Sequence, residues 1–214
     1  MPDPTSSFTA LQNARLYGIL DLGYVLPAQV ESMTAALCEG GVDLLQLRAK
    51  KHSSQEIEKL ARLMQPILRE HGVPLIINDH LEVAAAIGSE GVHVGQDDEA
   101  VARARAVVGQ GTFVGKSTHS LDQAVAAQAE GADYIGFGPL YATGTKPDYV
   151  PIGIHDIAEA HRLVSLPIFC IGGVNVSRLP EIISAGARRV VVVSALLLAP
   201  DVRAHVREIK SLLP

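Results

Sequence analysis

Short apolar runs alternate with longer segments of helical spacing along the whole chain. The runs Leu16–Leu20, Val42–Leu47, Pro74–Ile77, Gly91–Val94, Thr112–Gly115, Tyr134–Phe137, Pro167–Ile171 and Arg189–Val193 are compact and rich in Val, Ile or Leu. Such runs predict strands buried on both faces, as in a parallel sheet. Between them, Ser53–His71 places Ile57, Leu60, Ala61, Met64 and Leu68 at helical spacing. The same reading predicts helices at Ala28–Glu39, His80–Ile87, Asp98–Val107, Leu121–Glu130, Ile154–Leu163, Val176–Ala185 and Asp201–Leu212. Ser53 with Glu56 three residues later forms a capping box. Asn175 before Val176-Ser177 is another helix start.

A refrain links helix to strand. It reads Glu39-Gly40-Gly41-Val42, Glu90-Gly91-Val92, Glu130-Gly131-Ala132-Asp133 and Ala185-Gly186-Ala187. A glycine just past a helix end takes the left-handed cap conformation, so the recurrence marks a repeated αβ unit. The count comes to about eight units, the number that closes a single-domain (β/α)8 TIM barrel of the α/β class. The rival is an open doubly wound sheet, but no GxGxxG follows the first strand. Residues 1–14 read as a partly disordered lead-in, and residues 15–214 as the barrel catalytic domain.

Composition narrows the function classes. The chain has 214 residues, 48% of them hydrophobic and 19% charged, so it can bury a core and is not disordered. A net charge of −5, an aromatic share of 4% and no Trp disfavour nucleic acid and anionic membranes as partners. No apolar run approaches the ~18 residues of a membrane span, and the N-terminus lacks the pattern of a signal peptide. Cys38 and Cys170 form no framework and read as reduced core thiols of a cytoplasmic protein.

In such a barrel the chemistry stands at the C-terminal ends of the strands. The second strand ends in Gln46-Leu47-Arg48-Ala49-Lys50-Lys51. Alternation puts Gln46 and Arg48 on one face, where they are costly unless they bind something polar. A solvated loop is the alternative for Lys51 and, less so, for Lys50. Asn78-Asp79-His80 and Gly95-Gln96-Asp97-Asp98 follow the third and fourth strands. Two carboxylates at one rim, with Arg and Lys nearby, suit Mg²⁺ held with phosphate oxygens. Helix capping by Asp79 and Asp98 is the alternative. Ser117 after the fifth strand is a donor to an anion, and His119 is an acid–base candidate, while Ser120 and Gln123 suit a helix start. The long connection from Gly138 through Thr143, Thr145 and Lys146 to Asp148 reads as a phosphate-seeking lid, or else as a surface linker. Gly172-Gly173 after strand seven and Val193-Ser194 after strand eight match the common phosphate site of such barrels. Neither a Ser–His–Asp triad nor zinc-spaced ligands stand out, so the rim favours activation of a leaving group.

Together these motifs resemble the thiamine-phosphate synthase (thiamine-phosphate pyrophosphorylase) family over nearly the whole chain. Gln46-Leu47-Arg48-Ala49-Lys50 resembles its QLREK, Ile77-Asn78-Asp79 its IND, and Gly91-Val92-His93-Val94-Gly95-Gln96-Asp97-Asp98 its GVHLGQxD. Ser117-Thr118-His119, the stretch from Gly138-Pro139 to Thr143-Gly144-Thr145-Lys146, Ile171-Gly172-Gly173 and Val193-Ser194-Ala195 match its remaining motifs. The resemblance implies that Gln46, Arg48, Lys50 and Asn78 hold an aminopyrimidine diphosphate and that Asp79 and Asp98 bind Mg²⁺. It implies that Ser117 and Lys146 contact the diphosphate, with Arg48, Lys50, Ser117 and Lys146 as the catalytic set. Thr143, Thr145, Gly173, Val193 and Ser194 would cradle a thiazole phosphate. The implied reaction joins hydroxymethylpyrimidine diphosphate to hydroxyethylthiazole phosphate, or its carboxylated form, giving thiamine phosphate and pyrophosphate. The family is often homo-oligomeric.

The sequence departs from the family pattern at Leu20-Asp21, at His80 and at Lys116. Lys116 either adds a phosphate contact or tilts the site towards a related activity. The competing readings are a thiazole tautomerase of the same fold with His119 as its catalytic group, another phosphate-binding barrel isomerase, and a non-catalytic thiazole-phosphate-binding module.

Overall fold

A computed structural model describes residues 4–96, 100–144 and 150–214. Eight parallel strands close into a barrel in sequence order. They are β1 (Leu16–Asp21), β2 (Leu44–Arg48), β3 (Leu75–Asn78), β4 (Gly91–Val94), β5 (Phe113–Thr118), β6 (Tyr134–Phe137), β7 (Ile168–Cys170) and β8 (Val190–Val192). Helix α1 (Pro4–Asn13) precedes them. The surrounding helices are α2 (Val30–Gly40), α3 (Ser54–His71), α4 (Leu81–Ile87), α5 (Val101–Val108), α6 (Leu121–Ala129), α7 (Ile157–Leu163) and α8 (Leu179–Ser184), then a short α9 (Ser194–Leu197) and α10 (Val202–Leu212). The closed sheet bears out the barrel over the open alternative.

The expected local signals hold where their chemistry is local. Ser53 accepts from the Glu56 amide and the Glu56 carboxylate accepts from the Ser53 amide, as a capping box requires. Gly41, Gly131 and Gly186 all have positive φ after their helices. The refrain misleads at one place: the left-handed residue after α4 is Gly88, whereas Gly91 lies within β4. There it leaves room for the Phe113 ring, which a Cβ at Gly91 would overlap. Asn175 organises a turn ahead of α8, accepting from the Arg178 amide, rather than starting a helix at Val176.

Strand alternation divides the apolar residues into two cores. Outward residues such as Leu20, Leu45, Leu47, Ile77, Val92 and Ile135 pack under the helices. Inward residues Tyr17, Ile19, Leu44, Ile76, Phe113, Tyr134, Phe169 and Val191 fill the barrel itself. The rings of Tyr17 and Phe169 meet edge to face, with centroids 5.4 Å apart, and Tyr134 meets Phe169 similarly at 5.7 Å. Gly115 stands opposite Tyr134 in the β5–β6 register and leaves space for its ring.

Residues 4–13 of the lead-in form helix α1. Leu11 of α1 is fully buried in the interior core, and Phe8 packs on Phe113 with ring centroids 6.0 Å apart. Helix α1 therefore caps the N-terminal end of the barrel. Its stability comes from that long-range contact, because ten residues alone form a marginal helix. Among the described residues no helix is long and apolar enough to cross a membrane.

Candidate active site

Above the aromatic layer the inward positions turn polar. Leu44 is followed on the same face by Gln46 and Arg48, Ile76 by Asn78, Gly91 by His93, and Phe113 by Gly115 and Ser117. Gln46, Arg48, Asn78, His93 and Ser117 line one cavity at the C-terminal ends of the strands, together with Thr143, Gly173, Val193 and Ser194. Eight of the sequence-read site residues thus come together: Gln46, Arg48, Asn78, Ser117, Thr143, Gly173, Val193 and Ser194. Asp98, Thr145 and Lys146 lie outside the described residues.

The β1–β3 side carries the charges. Arg48 Nη1 lies 2.5 Å from Asp21 Oδ2, and both groups are largely buried. Asp21 also accepts from the Gly23 amide, so its carboxylate is fixed before it meets the guanidinium. This pairing holds Arg48 upright on the cavity wall. Sequence reasoning recorded Asp21 only as a departure; its inward parity with Tyr17 and Ile19 was the signal. Beyond Arg48, the Lys50 ammonium pairs with Asp79, and Asn78 Nδ2 donates to Asp79 Oδ2 at 2.7 Å. Asp79 has φ +63°, the only positive φ of a non-glycine among the described residues. Such a conformation costs about 1–3 kcal/mol and persists where the surroundings over-determine it. Asp79 does not cap α4, whose first turn has no side-chain cap.

The floor is a hydrogen-bonded run of buried groups. Gln46 Nε2 donates to Tyr17 Oη at 2.6 Å. The Tyr17 and Tyr134 hydroxyls lie 3.1 Å apart, His93 Nδ1 is 3.0 Å from Tyr134 Oη, and His93 Nε2 is 3.0 Å from Ser117 Oγ. Burial pushes both phenols above their ordinary range, so both stay protonated. Gln46 Oε1 is buried with no hydrogen-bond partner among the described residues. Tyr17, Tyr134 and His93 were not among the residues singled out from sequence, because a buried aromatic in a strand reads as core. Gln96 Nε2 donates to the Ser117 carbonyl, and His119 Nδ1 donates to the Gly138 carbonyl, which ties the ring to the end of β6.

The β7–β8 side is made of backbone. Gly173 has φ +67°, and a Cβ there would lie 2.6 Å from Arg178 Nη1. Arg178 donates to the Gly173 carbonyl at 2.7 Å and lies 4.3 Å from the Tyr141 ring centroid. The start of α9 at Ser194 adds amide donors that have no acceptor within the helix.

Lys116 does neither of the things read from the sequence. With Gly115 and Ser117 facing inward, Lys116 points out of the barrel, and its Nζ lies 2.5 Å from Glu130 Oε2 near the end of α6. It takes no part in the cavity. Cys38 and Cys170 are buried free thiols, each pushed up to about 12 chiefly by burial.

The family described as thiamine monophosphate synthase matches residues 16–196. A thiamine-phosphate synthase of Chloroflexus aurantiacus is 40% identical over 199 residues, covering 92% of each chain. That of Halalkalibacterium halodurans is 36% identical over 194 residues, covering 90% of this chain and 92% of its own. The solved thiamine phosphate pyrophosphorylase of Pyrococcus furiosus superposes with a TM-score of 0.85 at 29% identity, covering 96% of each chain. A 3-hexulose-6-phosphate synthase, at 18% identity and a TM-score of 0.67, shares the fold. With the family matched across the barrel and the rim built as described, this chain belongs to the thiamine monophosphate synthase family, transferases that condense hydroxymethylpyrimidine diphosphate with hydroxyethylthiazole phosphate to give thiamine phosphate and pyrophosphate.

Proposed function

We propose that the two sides of the cavity divide the two substrates. The aminopyrimidine diphosphate sits against Gln46, Arg48, Lys50 and Asn78, with its diphosphate reaching Ser117 and Lys146. The thiazole phosphate sits against Gly173, Val193 and Ser194, with Thr143 and Thr145 from the loop after β6. The observation that carries this reading is the buried, unpartnered Gln46 Oε1 at the base of a wall bearing Arg48. A buried acceptor without a partner is costly, and a ligand N–H removes that cost.

The rim chemistry also fits Mg²⁺. The ion takes hard oxygen ligands and is commonly held by one or two carboxylates plus substrate phosphates rather than by a full protein cage. Asp79 offers such a carboxylate, held in a strained backbone conformation, and Asp98 is the second ligand proposed. Bound there, Mg²⁺ would neutralise charge on the leaving diphosphate. The protein's own part is positioning and electrostatics. Arg48, fixed by Asp21, and Lys50 face the departing anion, and Ser117 donates to it. The backbone cradle on the other side holds the thiazole nitrogen near the pyrimidine carbon that loses the diphosphate. The two buried thiols support work in the reducing cytoplasm.

The test is pyrophosphate release by Asp79→Ala across a Mg²⁺ titration. The expected outcome is a loss on the order of 100-fold with a displaced Mg²⁺ dependence. Release at the unmutated rate would make the metal-assisted reading wrong.

A further inference from the structure

The hydrogen-bond run beneath the cavity has a direction, which follows from counting protons. The Gln46 amide donates to Tyr17 Oη. The Tyr17 proton then has one acceptor among its partners, the Tyr134 oxygen 3.1 Å away. Tyr134 must pass its own proton to His93 Nδ1, 3.0 Å away, since Tyr17 is already donating. A neutral imidazole that accepts at Nδ1 carries its proton on Nε2, which donates to Ser117 Oγ. The Ser117 hydroxyl proton is then turned towards the cavity that its side chain lines. Every donor in the run points the same way, and both phenols are held protonated by burial.

We propose that Tyr17, Tyr134 and His93 are positioning residues that form a one-way hydrogen-bond chain, fixing Gln46 as an acceptor and Ser117 as a donor across the cavity. No proton crosses the chain, and no bond is made or broken in it. Its effect is to couple two recognition groups on different strands. A ligand that brings an N–H to Gln46 Oε1 meets a Ser117 hydroxyl already set to donate to an anionic oxygen. An amino-substituted ring joined to a diphosphate satisfies both ends. An oxo-substituted ring would need the Gln46 amide reversed, which would reverse every link and withdraw the Ser117 donor. The inference rests on the assignment of Gln46 and Ser117 to the pyrimidine diphosphate.

The direct test is the tautomer of His93 in the unmutated protein, read by ¹⁵N NMR of histidine-labelled material. The expected state is Nε2–H, and an Nδ1–H ring would overturn the proposal. Two variants extend it while keeping the ring packing. Tyr17→Phe is expected to raise KM for the pyrimidine diphosphate, and Tyr134→Phe to mix the His93 tautomers and lower kcat, each by roughly tenfold. In the double variant the loss in kcat/KM is expected to be smaller than the product of the single losses, because one break already uncouples the chain. A full product of losses with an unaltered His93 tautomer would mean that the tyrosines only pack. Gln46→Ala separates the two layers of the argument. If it leaves KM for the pyrimidine diphosphate unchanged, the site assignment fails, and this inference with it. If it raises KM while His93 is Nδ1–H, the chain alone fails.

Discussion

The two ends of the barrel interior are built by the same strands and do opposite things. At the N-terminal end Leu44, Ile76, Phe113 and Phe169 are fully buried and sealed by Leu11 of α1. One or two inward positions further along, the residues are Gln46, Asn78, Ser117 and their neighbours, around an open cavity. Two to four residues along a strand thus separate the layer that holds the fold from the layer that lines the cavity. Strands can combine these roles because alternate side chains share a face and rise only about 7 Å per pair. Tyr17 and Tyr134 belong to both layers, with rings in the lower core and hydroxyls in the upper network.

If the layers are separable, each should break alone. Phe113→Ala is expected to cost about 3–5 kcal/mol in chemical denaturation, with KM values for both substrates little changed. A large shift in KM would show that the layers are coupled through packing. Lys50→Ala should do the reverse. It removes a half-exposed ammonium from the rim, so pyrophosphate release should fall about 100-fold while the denaturation midpoint hardly moves. Gly173→Ala sharpens the comparison within the upper layer. A Cβ at φ +67° meets Arg178, and strain of about 1–3 kcal/mol should raise KM for the thiazole phosphate roughly tenfold and spare that of the pyrimidine diphosphate. The smallest effect belongs to neither layer. Ser53→Ala on α3 should lower stability by ~1 kcal/mol, with activity unchanged in the same assay.

What could be read from the sequence follows the range of the interactions. The strands and α3 were legible because their apolar spacing is local and regular. The rim residues Gln46, Arg48, Asn78 and Ser117 were legible because a barrel concentrates polar inward positions at one end. Helix α1 was not, since Phe8 and Leu11 find their partners only once the barrel exists. Asp21 and the two tyrosines were missed because their partners come from other strands; Arg48 lies 27 residues from Asp21 in sequence. Lys116 was misread because its position after the fifth apolar run was counted without its parity. Once Gly115 faces the Tyr134 ring, Lys116 must face the helices.

On the proposed reading, a metal-assisted departure of diphosphate takes place on the Arg48–Lys50–Asp79 wall with the thiazole phosphate held opposite. The most direct measurement is pyrophosphate release with pyrimidine diphosphate and thiazole phosphate supplied singly and together, first with Mg²⁺ and then with EDTA. Release that needs both substrates and stops with EDTA is the expected result. Release that persists in EDTA, or none from folded protein that still binds thiazole phosphate, would contradict the account.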